Sequence, residues 1–231
     1  MSISDDLEEE VSNIFKENWT TRDGRVVPDD DSLGLNNDAV KIDATVLYAD
    51  MHDSTGLVDR NKSHFSAEVY KSFLVCAARI IRSEGGEITA YDGDRAMAVY
   101  LGNSQNSSAV RSGLRINWVV RNIINPQIVA QYPNCTHKVR HVVGIDRSST
   151  FVAKTGIRNY NDLVWVGRAA NYAAKLSNLS DSYRTYITDT IYNRISDDAK
   201  FASGTDMWTA LTWKQMNDMR IYGSTYSWKP L

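Results

Sequence analysis

Residues 87–100 read EITAYDGDRAMAVY, and the fold turns on how this stretch is read. Two strand-like runs, Glu87–Tyr91 and Ala96–Tyr100, flank Asp92-Gly93-Asp94. An Asp-Gly pair between two such runs describes a β-hairpin, because glycine tolerates the positive backbone angle that a tight turn demands. The turn carries two carboxylates. Upstream, Ala44-Thr45-Val46-Leu47-Tyr48-Ala49 forms a short apolar strand that stops at Asp50. Between strand and hairpin lies a helix that Ser63 or Ser66 caps, running to about Ser83 and ended by Gly85-Gly86.

Further outward, a second helix covers about Ser107–Ile124 and stops at Asn125-Pro126, since proline disfavours helical geometry in the residue before it. Lys138–Ile145 and Ser149–Lys154 read as a second strand pair turning at Asp146-Arg147-Ser148. A loop through Asn159–Asp162 leads to a short apolar run and then to a helix over about Gly167–Leu179. Thr185–Ile187 and Ile221–Trp228 give further strands, with Ile191–Ile195 helical between them. At the N-terminus Leu7, Val11, Ile14 and Phe15 recur at helical spacing within Asp5–Trp19, opposite Glu8, Glu9 and Glu10. Arg22–Asn37 is polar and reads as a linker or exposed loop. The domain expectation is an N-terminal helix and linker over 1–40 and one catalytic domain over 41–231. The order βαββαββαβ predicts a mixed α/β (α+β) fold with a mostly antiparallel central sheet flanked by helices, because hairpins predominate. A simple doubly wound sheet is excluded.

Composition narrows the function classes. A formal net charge of -2 over 231 residues argues against a broad electrostatic grip on nucleic acid or anionic membrane, while leaving room for a local anion site. No apolar run approaches membrane-spanning length, and the N-terminus begins polar and acidic, so neither insertion nor export is expected. Cys76 and Cys135 match no metal-ligand spacing, and Cys76 lies in the apolar run Phe73–Ala78, which fits core packing and a reducing cytoplasm.

Two acidic turns carry the chemistry. One is Asp50-Met51-His52-Asp53-Ser54-Thr55-Gly56 at a strand end, and the other is Asp92-Gly93-Asp94. Hard divalent cations that act on phosphates are held by one or two carboxylates plus substrate oxygens. Two such ions a few ångströms apart activate an attacking hydroxyl and clamp the leaving phosphate. The short Ser54-Thr55-Gly56 turn offers backbone N–H groups to a triphosphate, and Asp53, Ser54 and Thr55 are the candidate phosphate-binding residues. Each signal also has a purely structural reading. Asp-Gly serves hairpin geometry, Asp50 could cap the following helix, and His52 and Asp53 could be solvated turn residues or metal ligands.

Together the motifs resemble the class III nucleotidyl cyclases. Val46 to Thr55 is similar to the family's metal-binding strand and turn, Gly85 to Tyr100 to its second metal hairpin, and Asp162 to Leu176 to its transition-state helix. The resemblance implies that Asp50, Asp94 and the Met51 carbonyl bind two Mg²⁺ or Mn²⁺ ions. It implies that Asn171 orients the ribose, that Lys175 steadies the charged transition state, and that a homodimer forms two composite sites. Residues 171 and 175 share a helical face at that spacing.

The departures from the family pattern concern the base. Lys175 stands where arginine is usual, Ala90 where adenylyl cyclases carry a base-reading lysine, and apolar Val164 where a hydrogen-bonding residue is common. Tyr48, two residues before Asp50 on a strand, faces the same way as that aspartate. Arg95 offers only donors, which suits the carbonyl acceptors of uracil. A Tyr48 packed in the core and an Arg95 paired with Asp92 are the structural alternatives. This combination resembles the pyrimidine cyclases of bacterial Pycsar anti-phage systems, with Tyr91–Arg95 and Gly223–Trp228 most like the uridylate-forming members. That resemblance implies UTP as substrate, cyclic UMP as product and a separate cyclic-nucleotide-sensing effector protein. A cytidylate or purine cyclase is the nearest alternative, and a non-catalytic nucleotide-binding dimerisation module the alternative from another class.

Overall fold

The computed structural model describes residues 2–230. Along the chain it forms α1 (Ile3–Lys16), β1 (Thr20–Asp23), β2 (Asp38–His52), α2 (Ser54–Arg60), α3 (Ser63–Ser83), β3 (Glu87–Asp92), β4 (Arg95–Tyr100), α4 (Gln105–Val119), α5 (Asn125–Gln131), β5 (Arg140–Ile157), β6 (Tyr160–Val166) and α6 (Arg168–Ser177). There follow β7 (Thr185–Thr188), α7 (Asp189–Tyr192), α8 (Asp197–Lys200), β8 (Phe201–Ala202), β9 (Thr205–Asp206), β10 (Thr209–Trp213) and β11 (Met219–Ser224). Among the described residues one sheet runs in the order β10-β11-β7-β5-β2-β4-β3, with β1 added to β2 and β6 to β5. The pairs β1–β2 and β5–β7 are parallel, whereas β2–β4, β3–β4, β5–β6, β7–β11 and β10–β11 are antiparallel. The expected mixed fold with a mostly antiparallel sheet and flanking helices is therefore present.

The chain divides into two compact units. One comprises Met1–Asp43 and Ser149–Gly167, and the other Ala44–Ser148 and Arg168–Leu231. In the smaller unit Asn37 donates to the carbonyls of Ile14 and Glu17 at 2.8 Å each, closing the C-terminal end of α1. Trp19 meets Phe151 edge to face with ring centroids 5.0 Å apart. The apolar stripe of α1 stays exposed.

In the larger unit the alternation of strand side chains separates two layers. Leu47, Ala49 and Met51 of β2, with Val143 and Ile145 of β5, join the main core against Phe73, Ile81, Leu114 and Ile116 of α3 and α4. Val142 belongs to a second cluster with Leu176 of α6, Tyr186, Trp213 and Ile221. Tyr48, Asp50 and His52 alternate with the first set and so occupy the opposite face of their strand from α3 and α4. Close approach of α6 to β5 depends on Gly144. A β-carbon there would stand 2.1 Å from the Ala173 carbonyl oxygen and 2.6 Å from the Ser177 nitrogen, both backbone atoms.

Four local expectations are corrected. Strand β2 begins at Asp38 instead of Ala44 because its first residues pair with β1, whose Arg22 and Asp23 belong to the stretch read as linker. Asp146–Ser148 is no turn, since β5 runs through it unbroken. The Asp146 carboxylate, fully buried, receives Arg168 Nε at 3.0 Å and Thr188 Oγ1 at 2.5 Å, so its polarity is satisfied within the sheet. Pro126 does not stop the helix. A π-helical turn over Val120–Ile124 passes the chain into α5, where Pro126 occupies a first-turn position whose N–H is not needed. Finally, β11 ends at Ser224 instead of Trp228, because Asn117 donates to the carbonyls of Thr225 and Tyr226 and draws the tail onto α4.

Candidate active site

Asp50 and Arg95 face each other across the β2–β4 ladder, which places the strand aspartate beside the acidic hairpin. Asp92 and Arg95 are in register across β3–β4, so Gly93 and Asp94 alone form the turn. Gly93 takes a φ of 59°, the left-handed angle that the first central position of a type II′ turn requires. The Asp-Gly pair therefore serves the backbone, and Asp94 is left to do something else. Its Oδ2 is buried and has no hydrogen-bond partner among the described residues. A buried, unpaired carboxylate oxygen is costly unless a cation completes it.

Asp50 is nearly buried, and burial pushes its carboxyl above the ordinary range. Arg95 opposes that shift, and the negative charges of Asp94 and Asp92 add to it. Clustered carboxylates on partly desolvated ground are the donor set that hard divalent cations select. The residues present thus fit a hard divalent cation, with Asp94 Oδ2 as the open ligand.

Arg95 does not pair with Asp92 side chain to side chain. Its Nε and Nη2 donate to Asp50 Oδ2 at 3.1 and 2.8 Å, and Nη2 also donates to Asn178 Oδ1 at 3.1 Å. The guanidinium carbon lies 5.9 Å from the Tyr48 ring centroid. Tyr48 is half-buried, and desolvation raises its phenol above the ordinary value despite the nearby arginine. Met51 packs its side chain in the main core, which leaves only its backbone for ligation.

Asp53 caps α2 with a left-handed φ of 62°. Its carboxylate accepts from Arg60 Nη2 at 2.6 Å and stands 3.8 Å from Arg140 Nη2. Arg60, ahead of the smaller contribution of Arg140, holds that carboxyl below its usual range. Next to it opens a cavity of about 490 Å³ lined by His52, Asp53, Arg60, His137, Lys138 and Arg140, among others. The strand that ends in Asp50 and His52 thus leads directly into a basic recess. Ser54 and Thr55 form the first turn of α2, where backbone N–H groups lack helical acceptors.

Asn171 and Lys175 lie exposed on one face of α6. Lys175 Nζ reaches Met216 Sδ at 3.7 Å and has no carboxylate partner among the described residues. Asn178 just beyond α6 is the residue of this stretch that meets Arg95. Seven residues of helix rise about 10.5 Å, so Asn171 stands two turns away from that contact along the axis. The sequence reading missed Asn178, Arg60 and Arg140. Asn178 continues the 171–175 helical face and was legible by periodicity, whereas Arg60 and Arg140 come together only in space.

No family model matches this chain. It is 50% identical over 230 residues to a uridylate cyclase of Xanthomonas perforans, covering 99% of both chains. It is 49% identical to a uridylate cyclase of Burkholderia cepacia, again over 99% of both. Among solved structures, the adenylyl cyclase CyaB of P. aeruginosa matches with a TM-score of 0.69 at 19% identity, over 84% of this chain and 98% of that one. The guanylyl cyclase Cya2 matches with a TM-score of 0.68 at 17% identity, over 82% and 95%. The fold is that of class III cyclase domains.

Proposed function

The chain belongs to the uridylate cyclase family, and from that premise we propose that it converts UTP into 3′,5′-cyclic UMP and pyrophosphate. As a nucleotide cyclase it is a phosphorus–oxygen lyase. One observation carries the choice of substrate and chemistry: Tyr48, Asp50 and Arg95 meet beside an Asp94 oxygen that is buried and unpaired.

Asp50, Asp94 and the Met51 carbonyl would hold two divalent ions, Mg²⁺ or Mn²⁺. When bound these supply Lewis-acid activation of the ribose 3′-hydroxyl and neutralise charge on the triphosphate. The protein's own part starts with Arg95. Its bonds to Asp50 offset the repulsion among three carboxylates, and that neutralising role ends once the carboxylate serves a cation. The freed guanidinium has donors only, matching the two carbonyl acceptors of uracil better than the amine-bearing edge of cytosine or adenine. Tyr48 flanks the same space and limits it to a small base.

Arg60, Lys138 and Arg140 take the β- and γ-phosphates, with the N–H groups of Ser54 and Thr55. Asp53 contributes by orienting the two arginines, since a carboxylate does not itself bind phosphate. Asn171 and Lys175 are assigned to the ribose and to the charge that develops at the α-phosphorus. The two-turn offset of Asn171 from the Arg95–Asn178 contact supports a site completed by a second copy of the chain. The active unit is then a homodimer whose product feeds a separate sensing effector in anti-phage defence.

The test is purified protein with Mn²⁺ and each of UTP, CTP, ATP and GTP separately, with products identified by mass. Cyclic UMP as the main product is the expected result. A purine cyclic monophosphate as the main product would remove Tyr48 and Arg95 from base reading, and metal-dependent UTP binding without turnover would favour the binding-module alternative.

A further inference from the structure

A second cavity, of about 390 Å³, opens within the larger unit between the π-helical turn, the start of β5 and the start of β7. Its inner end is polar and deeply buried. Asn117 and His141 line it, each 1% exposed. Asn117 spends its amide protons on the Thr225 and Tyr226 carbonyls at 3.0 and 2.8 Å, so its Oδ1 is left without a partner among the described residues. Both ring nitrogens of His141 are likewise unpartnered. Burial depresses that imidazole to about 3, so at neutral pH it is uncharged, with one N–H donor and one acceptor nitrogen.

The mouth is basic. Arg121, Lys138, Arg140 and Arg184 line it, Lys138 and Arg140 being shared with the recess beside Asp53, so that Arg121 and Arg184 are the cations belonging to this cavity alone. Arg140 and Arg184 share the carboxylate of Asp181 at 3.0 and 3.1 Å, whereas Arg121 and Lys138 have no carboxylate partner among the described residues. His141 points to the opposite face of β5 from Arg140, on the α3 side, where its ring lies 6.0 Å from Phe73. The inner end of this cavity is therefore separate from the face that carries Tyr48 and Asp50. The π-helical turn itself supplies Val120 and Arg121, and such turns are frequent at functional sites.

We propose that this cavity is a second ligand site, which takes a phosphate ester of a hydroxylated body, a sugar phosphate or a nucleotide. The excess of cations at the mouth matches a group carrying close to two negative charges at neutral pH better than a single carboxylate. The inner end needs a hydrogen-bond donor for Asn117 Oδ1 and a group that both gives and accepts for His141. A sugar hydroxyl does both. A volume of about 390 Å³ is in the range of small-molecule sites and far exceeds what one phosphate ion fills.

The chain has four histidines, so spectra of protein carrying ¹⁵N-labelled histidine separate the two cavities. His141 reports on the second cavity, while His52 and His137 report on the basic recess beside Asp53. Ribose 5-phosphate and inorganic phosphate are titrated as probes. The expected result is a saturable shift of the His141 signals, with ribose 5-phosphate binding at least tenfold more tightly than phosphate. Arg121→Ala, at an exposed position, should weaken ribose 5-phosphate tenfold or more at His141 and leave the His52 and His137 responses alone. His141→Leu, which removes that reporter, should fold and lose the tight binding mode when ribose 5-phosphate is titrated by calorimetry. Shifts confined to His52 and His137 would overturn the site, and equal affinity for the two probes would overturn the role of Asn117 and His141 in recognising the body.

Discussion

Asp50 and Asp94 sit close together at the same end of the sheet, yet they bear different costs. Burial raises the Asp50 carboxyl, so its ionised form is disfavoured in the folded protein. That penalty is present at neutral pH and relieved as the pH falls through the raised value towards 3.8. Asp50→Asn should therefore melt higher than the parent at neutral pH without metal, the gap closing towards pH 4, while cyclase activity is lost. Thermal melts across that window check the sign, and a lower melting point at neutral pH would show that the Arg95 ion pair outweighs the burial. Asp94→Ala removes the open ligand and should lower kcat by about a thousandfold or more, as several kcal/mol of charge stabilisation imply. Arg95→Ala should cut the preference for UTP over CTP about tenfold, the worth of a charge-assisted hydrogen bond, and competition assays read it directly. His141 carries the opposite sign to Asp50. Its value falls from 6.5 to about 3, so the stability it contributes is full above 6.5 and is lost as the pH drops towards 3. Replacing it with Leu should flatten that acid limb of the denaturation profile.

At the scale of elements, helix α6 bears the residues assigned to ribose and transition state, and its seat on β5 is a backbone matter. Gly144 leaves room for the Ala173 carbonyl and the Ser177 amide, and neither can move as a side chain would. Gly144→Ala should destabilise by about 1–3 kcal/mol, as overpacking does, and lower kcat together with the melting temperature. Loss of stability with full kcat at low temperature would detach the seat of α6 from catalysis. The β3–β4 hairpin was legible because Gly93, between two runs of strand-forming residues, has one common use. The long strand β5 was not. Asp146-Arg147-Ser148 has the composition of a turn, and only the contacts of Arg168 and Thr188 with the buried Asp146 carboxylate show why it remains extended. The same limit applied to Asn125-Pro126, where a π-helical turn absorbs the proline and the helix goes on.

At the scale of the whole molecule, the proposed composite sites make a prediction no single chain can satisfy. Asp50→Ala and Asn171→Ala chains, each inactive alone, should recover roughly a quarter of parent activity on random mixing, since half of the dimers are mixed and each of those has one intact site. No recovery in verified mixed dimers would confine each site to one chain. The strand end at Asp50, the acidic hairpin turn, the helical face at 171–175 and the mixed, mostly antiparallel fold were all readable from the sequence, because each rests on short-range chemistry: a turn residue, a strand end, a helical period. What only the tertiary structure decided lies between segments distant along the chain. It put Arg95 on Asp50 and Asn178, gathered Arg60 and Arg140 around Asp53, and buried His141 and Asn117 together at the end of a cationic cavity. Charges and buried polar groups find partners by position in space, and one-dimensional spacing does not encode it.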